Sequence, residues 1–74
     1  MAQFQYTVTD STKVTSVEDA AVDAAAARRE ALMLLSGLLR DLAISGGEGS
    51  GFVVEVHDAH GALVTRLTAG LTQH

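Results

Sequence analysis

The sequence contains no cysteine, which removes both a disulfide framework and a cysteine-based zinc site as sources of stability. Aromatic side chains are scarce, with only Phe4, Tyr6 and Phe52 present. Long apolar runs are missing too. The longest, Ala31 to Leu39, is broken by Ser36 and Gly37 and is far too short to cross a bilayer, so no membrane partner is expected. There is no surplus of basic charge: the formal net charge of −4 argues against non-specific nucleic-acid binding, and no DNA partner is expected. The first residues show no basic segment followed by an apolar core, so no signal peptide is read and the cytoplasm is the expected compartment. No Ser-His-Asp or Cys-His set is suggested, so neither catalysis nor a cofactor is expected.

What is present is enough for one small domain of 74 residues. A chain near this size buries only about 60% of the surface that its unfolded form exposes, so stability is modest and a packed core or a partner subunit must supply it. The 47% hydrophobic content suffices for a globular fold, although much of it is alanine, which contributes helix propensity more than burial.

Gln3 to Thr9 alternates strictly, with Phe4, Tyr6 and Val8 on one side and Gln3, Gln5, Thr7 and Thr9 on the other, so a half-buried strand is expected over 3–9. Asp10-Ser11-Thr12 reads as a turn, and 10–22 as a loop. Thr15 or Ser16 has capping-box spacing to Glu18 or Asp19, which would start a helix near Val17. Asp23 is the preferred cap, opening a helix over 23–44. On a helical wheel Ala24, Ala27, Ala31, Leu34, Leu35, Leu38 and Leu42 form the core-facing stripe. Leu32, Leu39 and Ala43 widen it to about 180°, where about 100° suffices for a helix lying on one sheet. Ser45 to Gly51 is a glycine-rich connector (45–51), followed by a hairpin over 52–68 and a fraying tail over 69–74. Phe52, Val54 and Val56 share one hairpin face, as do Leu63, Thr65 and Leu67.

The stretch His57-Asp58-Ala59-His60 is the one that hints at chemistry. His57 and His60 could begin a metal site, with Asp58 beside them and His74 on the tail. A zinc site needs three or four converging ligands, however, and Asp58-Ala59-His60-Gly61 also fits a type I turn closed by a left-handed glycine. If Val56 faces inward, His57 faces out and His60 sits at the turn tip, so the imidazoles need not meet. The hairpin reading is preferred. The glycine-rich connector follows its helix and holds no lysine, whereas a phosphate-cradling loop precedes one. Arg28, Arg29 and Arg40 read as solvated partners of acidic neighbours, with the Arg29–Arg40 edge open to an acidic partner.

Asp23 to Ala31 (D-A-A-A-A-R-R-E-A) and Phe52 to Gly61 (F-V-V-E-V-H-D-A-H-G), continued by Leu63 to Leu67, resemble a family of very small bacterial domains of unknown function. Its members open their helix with D-x-E-A-A-R-x-E-A and close with an F-x-V-x-V-x-D-x-x-G hairpin. Tyr6 to Ser11 replaces the aromatic-histidine strand and D-G turn usual in that family, and the segment after it is shorter. The resemblance implies a β-α-β-β fold and carries no activity or functional residues.

The fold expected from these readings is α+β: a three-stranded, mostly antiparallel sheet with one long helix on one face. Phe4, Tyr6, Val8, Val54, Val56, Leu63 and Leu67 should meet Ala27, Ala31, Leu34, Leu35, Leu38 and Leu42. The apolar surplus on the helix predicts an interaction module that forms a homodimer through Leu32, Leu35, Leu39 and Ala43 or through a sheet edge. The alternatives are an antitoxin-like or regulatory partner of a protein or RNA, and a metal or small-molecule binder at the hairpin.

Overall fold

The structure, a computed structural model, describes residues 1–10, 13–45 and 51–70. Its elements run β1 (Ala2–Asp10), β2 (Lys13–Ala21), α1 (Ala24–Ile44), β3 (Gly51–Asp58) and β4 (Leu63–Gly70). The four strands form one sheet in the order β2-β1-β3-β4, each antiparallel to its neighbours. β2 and β3 therefore run parallel with β1 between them, and α1 is the crossover that joins them. The fold is α+β with one helix across one face, as expected, but the sheet has four strands rather than three.

The additional strand is the segment read as a loop over 10–22, and the helix start considered near Val17 falls inside it. β2 pairs with β1 along its full length, from Ala2 opposite Ala21 to Asp10 opposite Lys13. Its sequence, Lys-Val-Thr-Ser-Val-Glu-Asp-Ala-Ala, shows no clean alternation because a mostly exposed edge strand needs none. Backbone hydrogen bonding to β1 holds it, and that leaves no side-chain signature. Ser11 and Thr12 of the expected turn lie outside the described residues.

β1 and β3 behave as the alternation predicts. Phe4 and Tyr6 are buried, Val8 packs beside them, and Phe52, Val54 and Val56 are buried on the same face. The register sets Tyr6 opposite Val56 and Val8 opposite Val54, so these side chains form adjacent rows beneath the helix. β4 departs from expectation at its start. Thr65 lies opposite Val56 and Leu67 opposite Val54, but a register shift follows Val56 and puts Leu63 opposite His57. Leu63 is thereby turned away from the core and exposed, while Val64 packs against the core in its stead. The strand also continues to Gly70, so the expected tail begins no earlier than residue 71, outside the described residues.

Asp23 caps α1: it has extended backbone, and its side chain accepts a hydrogen bond from the Ala26 N–H at 2.8 Å. At the other end the Ser45 N–H bonds to the Asp41 carbonyl at 3.0 Å, and the Ser45 hydroxyl donates to the Leu42 carbonyl at 3.0 Å. These bonds satisfy carbonyls that the last turn leaves without helical partners. Residues 46–50 of the expected connector lie outside the described residues, and Gly51 belongs to β3. Ala27 and Ala31 are the helix's only fully buried residues, and their methyl-sized side chains let α1 lie close over Val54 and Val56. Leu35 and Leu38 pack around this contact, whereas Leu34, expected in the core, is exposed. The opposite sheet face is open and polar, with Thr7 hydrogen-bonded to Ser16 and Arg66 paired with Glu55 across neighbouring strands.

Candidate functional site

The hairpin tip is built from backbone geometry. Gly61 N–H bonds to the Asp58 carbonyl at 3.0 Å and Asp58 N–H to the Ala62 carbonyl at 2.9 Å, with Gly61 at a φ of +80°. These bonds close a four-residue turn from Asp58 to Gly61 that ends in a left-handed residue, the pattern expected of a type I turn closed by glycine. The Asp58 carboxylate accepts from the His60 N–H at 2.8 Å and the Ala62 N–H at 3.0 Å. Those hydrogen bonds, Ala62's first, hold its pKa below the ordinary value, with smaller contributions from the charges of His60 and His57. Asp58 is thus committed to the turn. His57 lies on the open sheet face opposite Gln5 and Leu63, while His60 is exposed at the tip. Among the described residues no three His, Cys, Asp or Glu side chains gather where they could hold a metal ion, and His74 lies outside those residues.

The helix presents two apolar flanks. On one, Leu39, Leu42 and Ala43 line a cleft of about 240 Å³ with Gly51, Phe52, Ala69 and Gly70 at the end of the β3–β4 ribbon. Leu32 stands on the same side of the wheel, 54% exposed, and Leu39 is 41% exposed. Leu35, expected with them at an interface, is instead partly buried in the core. Leu32, Leu39 and Ala43 form the solvent-facing remainder of the stripe. The arginines expected to pair with acidic neighbours do not: among the described residues the ion pair is Arg66–Glu55, and Arg28, Arg29 and Arg40 make none.

The other flank faces β1 and β2. Glu30, Leu34 and Leu38 lie one turn apart along the helix and form one wall of a groove of about 380 Å³. Tyr6, Val8, Thr15, Val17 and Asp19 form its floor and far wall. Reading 10–22 as a loop concealed this groove, because Thr15, Val17 and Asp19 reach it only as alternate residues of a strand. The i, i+4, i+8 spacing of Glu30, Leu34 and Leu38 was the legible part of the signal.

The chain is thus a small α+β domain of one helix on a four-stranded antiparallel sheet. The profile of the family described as Domain of unknown function (DUF6894) matches residues 3–70, and the chain belongs to that family. No curated protein and no solved structure matches it.

Proposed function

We propose that this domain is a non-catalytic interaction module that self-associates as a homodimer through the flank of α1 beside β4. The observation that carries the reading is the exposure of Leu32 and Leu39 on a helix whose other face is already committed to the sheet. The core is small, with Val54 and Val56 its largest fully buried side chains, so burying further leucine surface between subunits adds substantially to stability. A standard interface takes about 800 Å² from each partner. The protein exposes 5076 Å², and the leucine flank with the adjoining cleft offers an apolar centre for such a contact. The free edge of β2 is the second surface on which copies could pair.

Light scattering coupled to size exclusion, run across a dilution series, tests the reading. The wild type is expected to elute as a dimer, and Leu32→Asp and Leu39→Asp as folded monomers with unchanged circular dichroism. A wild type that is monomeric at every concentration overturns the proposal and moves attention to a heterologous regulatory partner. The Arg29–Arg40 edge, whose guanidinium groups make no ion pair among the described residues, is the place to seek that partner.

A further inference from the structure

The groove between α1 and β2 is polarised from end to end. β2 ends two residues before the Asp23 cap, so the helix sets out from the C-terminal end of β2 and Glu30 falls near Asp19. Leu38 and Thr15 lie towards the other end, and Val8, Val17 and Leu34 lie between. One end is therefore acidic and the rest largely apolar. Among the described residues no lysine or arginine lines the groove, and neither carboxylate is in an ion pair. One Asp19 oxygen accepts from the Ala20 N–H at 2.8 Å, and the other makes no hydrogen bond to the described residues.

Tyr6 supplies a separate observation. The residue is only 3% exposed, yet its hydroxyl makes no hydrogen bond to the described residues. Among the described residues no buried polar side-chain atom lacks a partner, so the hydroxyl oxygen itself reaches accessible space, and the space that Tyr6 lines is this groove. A tyrosine ring fixed in the core with its polar tip unpaired and opening into a cleft is a ready contact for a ligand. Burial, then the charges of Glu30 and Asp19, raise its pKa, so the hydroxyl stays protonated and its oxygen lone pairs remain open to a donor.

We propose that this groove binds a small aliphatic ammonium compound, its head at Asp19, Glu30 and the Tyr6 hydroxyl and its alkyl chain along Val8, Val17, Leu34 and Leu38. An ammonium group brings three donors and a positive charge, matching an end with two carboxylates and a hydroxyl oxygen that can accept. The volume of about 380 Å³ falls in the range of small-molecule sites. The site lies on the flank of α1 opposite the leucines of the proposed dimer, so neither proposal depends on the other.

The test is an NMR titration of the full chain with n-octylammonium chloride, using 1-octanol and octyl sulfate as neutral and anionic probes of equal chain length. Octylammonium should produce saturable shifts at Val8, Val17, Leu34 and Leu38, with binding weakened about tenfold in Asp19→Asn and in Glu30→Gln. Tyr6→Phe, which keeps the ring and so the core, should weaken it by a smaller factor. Octanol should bind no better than octylammonium does to the carboxylate variants. Absence of saturable shifts overturns the proposal, as does equal binding of all three probes or affinity unchanged in both carboxylate variants. Both carboxylates are on exposed residues, so their amide variants are expected to keep the wild-type spectrum apart from local changes.

Discussion

β2 and β3 are strands of nearly equal length that run parallel in the same sheet, with β1 between them. They solve different problems. β3 is central, paired on both edges, and alternates half-buried with buried residues from Gly51 to Val56. β2 is paired on one edge, and seven of its nine residues are exposed. The helix causes the difference. α1 packs over β3 and β4 on its alanines and stops short of closing over β2, which leaves the α1–β2 groove open. The same sheet thus has a half closed by the helix and a half with unfilled surface.

Truncating one valine in each strand is the strongest way to break this comparison. Val54→Ala or Val56→Ala removes methyls that are fully buried and should cost roughly 2–3 kcal/mol in urea denaturation. Val17→Ala, at a residue 57% exposed, should stay within about 0.5 kcal/mol. Comparable losses in the two strands would mean that β2 is covered in solution, as it would be if copies paired along its edge.

A smaller effect sharpens the account of β3. A Cβ built on Gly51 would lie 2.8 Å from the Ala69 carbonyl oxygen, a backbone atom that cannot swing aside. Gly51→Ala should therefore destabilise the β3–β4 ribbon by about 1–3 kcal/mol, read from the same denaturation curves. No loss would show that the two strand ends separate easily at the mouth of the leucine-lined cleft.

The smallest expected effect is a pH dependence at the turn that ends β3. Asp58 has its pKa depressed by hydrogen bonds that exist only in the folded turn. Its contribution is present above the ordinary carboxylate value of 3.8 and is lost as pH falls through the lower folded value. Asp58→Asn should flatten the acid limb of the stability–pH curve while leaving its neutral plateau little changed in slope. Identical acid limbs in the two proteins would place the acid sensitivity elsewhere.

Much of the stable half was legible in the sequence. The alternation of Phe4, Tyr6 and Val8 gave β1 and its buried face, and Phe52, Val54 and Val56 did so for β3. Asp23 was recognisable as a cap because a short acceptor preceded a run of strong helix formers. The Asp58–Gly61 turn could be read because both ends impose chemistry, an acceptor at the first residue and a positive φ at the last. β2 stayed hidden because its backbone bonds to β1 leave no mark in its side chains, and an exposed edge strand has no hydrophobic period to display. Leu63 was assigned to the wrong face because a bulge is a backbone register shift, invisible in the residues it reorients.

The candidate surfaces divide in the same way. The surplus of leucine around α1 was countable on a helical wheel, and it located Leu32 and Leu39 before any sheet was known. The sequence by itself therefore determined which residues are apolar in excess, where α1 begins and ends, and how the hairpin turns, since each depends on contacts within a few residues along the chain. Only the tertiary structure decided that Leu35 is consumed by the core and that Tyr6, Asp19 and Glu30 share one groove. Those outcomes rest on strand order, on the register of β2, and on where along the sheet the small faces of Ala27 and Ala31 allow the helix to settle.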